Sequence, residues 1–141
     1  MRALPFAALG AAVLLAGCGG HKTASPESVV RAWSAAINAG HDEKAADLFA
    51  PGAVVVQGIQ VTLANHGDAV RWNSGLPCAG FVKSVEVDGE TATAVFVLGG
   101  RPGHRCDGPG QKAAAVFVVH AGKIVSWSQV PVPGSPAAPA V

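Results

Sequence analysis

The second half of the chain is built on alternation. "GFVKSVEVDGETATAVFVLG" and "AAAVFVVHAGKIVSWSQV" each hold two runs rich in Val, Phe, Thr and Ile around a two-residue turn signal, Asp88-Gly89 in the first and Ala121-Gly122 in the second. Apolar runs of period two flanking such a turn predict antiparallel hairpins. Two hairpins in succession predict a four-stranded meander. Centring the first turn on Asp88-Gly89 sets Phe81 opposite Phe96, Val85 opposite Ala92, and Cys78 opposite Gly99. Phe81, Val85, Ala92, Ala94, Phe96 and Leu98 then share a face, while Val82 joins the other. Centring the second turn on Ala121-Gly122 sets Val116 opposite Trp127 and Ala114 opposite Gln129, with Phe117, Val119 and Ile124 on the far face. Both faces of that hairpin are largely apolar, as in a strand covered on each side.

The first half supplies a cover. Ser25 suits a helix N-cap, Pro26 the first helical position and Gly40 the stop. Val29, Val30, Trp33, Ala36 and Ile37 recur on one helical face. Asp42 opens a second short helix, closed by Leu48 and Phe49 and ended by Pro51-Gly52. Residues 53–57 and 59–63 form a short hairpin split at Gly58. Asn65 caps a third helix through Trp72, with Asp68 in its first turn.

The ends of the chain differ from its middle. Arg2 precedes an apolar run from Ala3 to Ala16, shorter than the roughly 20 residues a spanning helix needs. A basic start, an apolar stretch and small residues describe a secretory signal. Leu15-Ala16-Gly17-Cys18 resembles the lipobox of bacterial lipoproteins. That resemblance implies that residues 1–17 are removed and Cys18 becomes a lipidated N-terminus. Residues 18–24 are then a tether, and the protein sits on the extracytoplasmic face of the cell membrane. Two or more acyl chains give stable anchoring where one is marginal. Residues 131–141 carry four prolines among small residues and predict an extended, disordered tail. One domain, residues 25–130, lies between. Lys and Arg total 10, Asp and Glu 9. Without Arg2 the charges balance, which leaves no basic footprint for nucleic acid.

The stretch "RPGHRCDGPG" puts His104, Cys106 and Asp107 close together. It reads as a metal site, a catalytic loop or a tied-down turn. Zinc sites bring their ligands in pairs, and the second pair is missing. If Cys18 carries lipid, Cys78 and Cys106 remain, and disulfides persist in exported proteins. The hairpin register brings both to one end of the sheet. The expectation is a Cys78–Cys106 bond, with His104 and Asp107 facing solvent and no metal.

The order helix, helix, short hairpin, helix, four-stranded meander is similar to that of the nuclear transport factor 2-like superfamily, including its SnoaL-like branch. "ESVVRAWSAAINAGHDEKAADLFAPGAVV" looks like its opening helix pair, "AVRW" stands where its third helix lies, and "AGKIVSWSQV" resembles its closing strand. The resemblance implies an α+β fold of three N-terminal helices packed on a curved antiparallel sheet. It implies a cone with an apolar pocket, used by enzymes (isomerases, dehydratases, hydrolases) or by binding modules. Many members dimerise through the outer sheet face.

The enzymes of that superfamily need an ionisable group inside the cone. This chain has no tyrosine. Asp47 and Glu86 read as solvated positions, as do His66 and His120. Trp33, Trp72 and Trp127 are candidates for lining a pocket, although aromatic residues at these spacings are more often plain core. Asn73 and Gln129 are the polar groups expected beside them. These residues favour a membrane-anchored binding module for a small apolar ligand or an envelope partner, with no cofactor. A SnoaL-like pocket enzyme and a structural dimerisation domain, meeting a second copy through the sheet, are the alternatives.

Overall fold

A computed structural model of the chain describes residues 22–136. The signal region, Cys18 and the end of the tail, residues 137–141, lie outside the described residues. The elements run α1 (Pro26–Asn38), α2 (Asp42–Ala46), β1 (Phe49–Gln57), β2 (Ile59–Leu63), α3 (His66–Ser74), β3 (Ala79–Asp88), β4 (Thr91–Gly99), β5 (Lys112–His120) and β6 (Lys123–Val130). No helix among the described residues is long and apolar enough to cross a membrane.

The strands form one six-stranded sheet in the order β2-β1-β6-β5-β4-β3. The meander is present, and the short hairpin extends it at β6. That junction, β1 against β6, is parallel; the other four pairings are antiparallel. The curved sheet closes over α1, whose Val29, Val30, Trp33, Ala36 and Ile37 are all buried. Ser25 caps α1 by accepting from the Ser28 N–H, and Asn65 caps α3 by accepting from the Asp68 N–H. Both caps satisfy an orphan first-turn donor.

The helix α1 also covers a sheet edge. β3 is the last strand, and its unpaired edge would otherwise present bare backbone groups. At Gly80 the carbonyl accepts from Ser34 Oγ at 2.5 Å and Asn38 Nδ2 at 3.2 Å, while the N–H donates to Asn38 Oδ1 at 2.8 Å. A side chain at Gly80 would meet the ring of Phe96 at 3.2 Å, so glycine makes room for that ring on the neighbouring strand.

Several expectations are corrected. The first hairpin turns on Gly89-Glu90, with Asp88 paired to Thr91. Gly89 has φ +59° and takes the first central position, which a type II′ turn reserves for glycine. A bulge at Lys83 then shifts the register again, so Val82 faces Phe96 and Phe81 faces Val97. Val82 packs on the core, while Phe81 lies outside and is 52% exposed. The second hairpin does turn on Ala121-Gly122, but a bulge at Val125 sets Phe117, not Val116, opposite Trp127. Phe117, Val119, Ile124 and Trp127 therefore all enter the core. The helix α2 stops at Ala46, and Phe49, Pro51 and Gly52 belong to β1, where the pairing with β6 is irregular between Phe49 and Val54.

Candidate functional site

Between α1 and the sheet is a cavity of about 130 Å³. It lies at the end of the sheet where β3 begins and β4 ends. Trp33 and Ile37 of α1, Phe96 and Leu98 of β4, and Trp127 of β6 form its large apolar walls. Residues 113–115 of β5, all alanine, and Gly80 of β3 leave the space that larger side chains would fill. Leu76, Pro77 and Cys78 close the side toward α3. Gln57 ends β1 and Gln129 stands one residue before the end of the adjacent β6; both are exposed and line the cavity's edge. None of the lining residues carries an ionisable side chain, because Cys78 is held in a disulfide.

The tryptophans form one aromatic cluster. Trp33 meets Phe117 edge to face at 5.3 Å, Trp127 meets Trp72 at 4.9 Å, and Trp72 meets Phe49 at 5.7 Å. Trp33 and Trp127 line the cavity and Trp72 does not. Trp72 is half-buried and borders a shallow surface depression with Val61, Asp68 and Arg71. Asn73 is fully buried behind the cavity. Its Oδ1 accepts from the Trp33 indole at 2.8 Å, and its Nδ2 donates to the Ala69 carbonyl at 2.8 Å. Asn73 thus orients a wall residue and does not itself line the cavity.

Two further relationships bound the site. Cys78 and Cys106 are bonded, and Cys78 is part of the cavity wall. The loop that carries Cys106 is pinned at two other points. His104 does not face solvent alone: its Nε2 lies 2.6 Å from the Ser74 carbonyl and its Nδ1 3.0 Å from that of Pro102. Arg101, which sequence reasoning passed over, is buried. Its guanidinium donates to the carbonyls of Asn73 at 3.0 Å and Leu76 at 2.8 Å, and it pairs with Asp42. These carbonyls close α3, where a helix end leaves acceptors unpaired. Asp107 is exposed beside Arg105. Among the described residues no three His, Cys, Asp or Glu converge as a metal site.

Two acid–histidine pairs form, neither of them in the cavity wall. Asp47 Oδ1 is 2.8 Å from His66 Nε2, with Glu43 at 3.8 Å from the other ring nitrogen. The pair lies outside the cone: the Asp47 side chain is 66% exposed, and neither residue lines the cavity. Glu86 is exposed on β3, and His120 pairs with Glu90 at the hairpin tips.

No family model matches the chain, and no curated protein does. Solved structures match it over most of their length. An NTF2-like protein of unknown function from Cytophaga hutchinsonii superposes with a TM-score of 0.64 at 10% identity, over 80% of this chain and 95% of that one. A candidate polyketide cyclase from Sinorhizobium meliloti gives 0.60 at 20% identity, over 72% and 93%. The fold is nuclear transport factor 2-like. A protein with a ketosteroid isomerase-like fold from Catenulispora acidiphila, in complex with trimethylamine, gives 0.61 at 19% identity, over 79% and 90%. At these identities the nuclear transport factor 2-like likeness concerns the fold, and fold alone does not assign an activity.

Proposed function

We propose that this chain is a lipid-anchored, extracytoplasmic binding module that holds a small ligand in its cavity without transforming it. The observation that carries the reading is the wall of the cavity: aromatic, aliphatic and alanine side chains, two glutamines at the edge, and no acid or base. General acid–base chemistry needs a titratable group within about 3 Å of the reacting atom. The acid–histidine pairs that the fold assembles, Asp47 with His66 and Glu90 with His120, stand outside. The anchor rests on the lipobox-like Leu15-Ala16-Gly17-Cys18.

A second reading, a pocket enzyme, draws on the candidate polyketide cyclase and the ketosteroid isomerase-like protein among the structures of this fold. In it, Gln57 and Gln129 would polarise a substrate carbonyl.

The experiment has two arms. Expressed at full length in a bacterial host, the wild type should fractionate with membranes and carry acyl mass on Cys18. The Cys18→Ser variant should stay as unprocessed precursor. If the variant fractionates and migrates like wild type, the anchor is refuted. In the second arm, benzene-sized apolar probes should perturb the indole resonances of Trp33 and Trp127 without being consumed. Turnover of a ketone or epoxide probe that is lost in Gln129→Ala would instead establish the enzyme.

A further inference from the structure

The cavity wall toward α3 is held differently from the rest. Leu76, Pro77 and Cys78 form it, in the connection between α3 and β3. On one side Leu76 is anchored. It is buried, its N–H donates to the Asn73 carbonyl at 3.2 Å, and its own carbonyl accepts from Arg101 at 2.8 Å. On the other side Ala79 is fully buried and pairs with Gly99. Pro77 and Cys78 span the gap between these anchors. Pro77 has no N–H to donate, and among the described residues no backbone hydrogen bond outside the helices and strands involves either one. What fastens the span is the Cys78–Cys106 bond.

The far end of that bond is fixed. Cys106 belongs to the β4–β5 connection, which Arg101 ties to Asp42 and to the carbonyls of Asn73 and Leu76. His104 reaches the Ser74 carbonyl, and Pro102 lies against Gly40, where an added side chain would meet it at 3.3 Å. None of these contacts involves a cysteine. Both cysteines are half-buried, and Cys106 stands between Arg105 and Asp107, whose side chains are 94% and 90% exposed. Accessible disulfides are the labile and regulatory ones. We propose that the Cys78–Cys106 bond is a redox latch on the cavity: a dithiol reductant opens it, Pro77 and Cys78 are released from the wall between their two anchors, and a bound ligand leaves faster. One thiolate of the dithiol attacks a sulfur of the bond and expels one cysteine. The second thiolate then attacks the reductant's own sulfur in the mixed disulfide and expels the other. The dithiol ends as a disulfide, and its two electrons and two protons leave Cys78 and Cys106 as thiols. The inference rests on the binding-module reading and adds its regulation.

Every described helix and strand lies between residues 26 and 130, so a chain starting at residue 18 with Cys18→Ser keeps the fold and retains Cys78 and Cys106 as its cysteines. An apolar cavity of about 150 Å³ holds benzene, and this one is about 130 Å³, so fluorobenzene is the probe. Fluorine NMR reads its exchange between free and bound states before and after dithiothreitol. The indole resonances of Trp33 and Trp127 report that the domain stays folded. Reduction should raise the off-rate about tenfold and weaken binding to match, since changes in affinity act chiefly through the off-rate. The variant Cys78→Ser/Cys106→Ser should behave as the reduced protein and show no response to dithiothreitol. An unchanged off-rate in the reduced, folded protein overturns the latch and leaves the cavity standing. A bond that yields no thiols to dithiothreitol in the native protein overturns it as well, because a latch must be reachable. Unfolding of the domain on reduction at room temperature would make the bond a clamp for the whole fold and likewise refute the latch. If fluorobenzene binds in neither state, the binding-module reading fails and takes the latch with it.

Discussion

Trp33 donates its indole N–H to Oδ1 of Asn73 across forty positions of sequence, inside the core. The bond joins α1 to the end of α3 and fixes the plane of a ring that walls the cavity. The Asn73 amide is used at both ends, since its Nδ2 donates to the Ala69 carbonyl. Removing it strands the buried Trp33 donor, while the Ala69 carbonyl keeps its helix bond from the backbone N–H of residue 73.

Asn73→Ala should therefore destabilise the domain by about 1–3 kcal/mol, the desolvation of the stranded indole donor. Urea unfolding of the variant against wild type measures this. A loss under about 0.5 kcal/mol would show that the bond contributes little and that water or a neighbour replaces it. Because Asn73 faces the ring and not the cavity, probe binding should weaken only as far as Trp33 tilts.

Arg101 has a fully buried side chain and is paired with Asp42, while its guanidinium also donates to two carbonyls at the end of α3. Breaking a buried ion pair by removing one partner typically costs about 3–5 kcal/mol, because the other charge is left uncompensated. Asp42 keeps partial access to water, with its side chain 22% exposed, which puts the expected loss for Arg101→Met near the lower figure. Arg101→Lys should recover only part of it, since an ammonium cannot reproduce the planar fork. Chemical denaturation of both variants tests this. Stability equal to wild type in Arg101→Met would mean that the pair is neutral here.

How much of this was legible in the sequence follows from the type of signal. Helix caps and turn glycines have local causes, so Ser25, Asn65, Gly58 and Gly122 marked their elements correctly. Bulges have no residue signature, and Lys83 and Val125 look like ordinary strand residues. One added residue flips every side chain beyond it, which is why Phe81 was set on the face of Phe96 and Phe117 away from Trp127. Of the cavity, Trp33, Trp127 and Gln129 were named from their strand and helix positions. Asn73 was expected to face inward, and it does, but toward the protein's own tryptophan. Arg101 was hidden by a sound generality, that arginine is seldom fully buried. Its partners lie 59, 28 and 25 positions away, beyond the reach of any local pattern.

The Cys78–Cys106 bond closes a loop between residues 28 positions apart and ties the β4–β5 connection to the start of β3. Cross-linking a loop of that length removes unfolded-state entropy worth about 3.5 kcal/mol. The double variant Cys78→Ala/Cys106→Ala should melt about 10 °C lower or more, and reduction of the wild type should do the same. Calorimetry with and without reductant measures both. Melting within about 2 °C of wild type, on a scale where 1 kcal/mol is worth several degrees, would show that Arg101 and His104 hold the loop without it.

Residues 23 and 24 and the cavity stand at opposite ends of the domain. Thr23 and Ala24 run beside Gly122, whose added side chain would meet them at 3.4 and 3.6 Å. From there α1 carries the chain 13 residues, about 20 Å, toward Ile37 and the cavity at the Cys78 end. If Cys18 is acylated, the peptide units between it and Lys22 reach at most about 14 Å. The β5–β6 turn then stays within a short reach of the bilayer, with the cavity at the far end of the domain. Lys123→Cys and Gln111→Cys place a fluorescent label at the two ends, on exposed residues. In vesicles carrying quencher-bearing lipids, the label at Lys123 should be quenched several-fold more than the one at Gln111, since collisional quenching requires contact. Equal quenching would mean that the domain tumbles freely on its tether, and the reverse order would put the cavity mouth on the membrane.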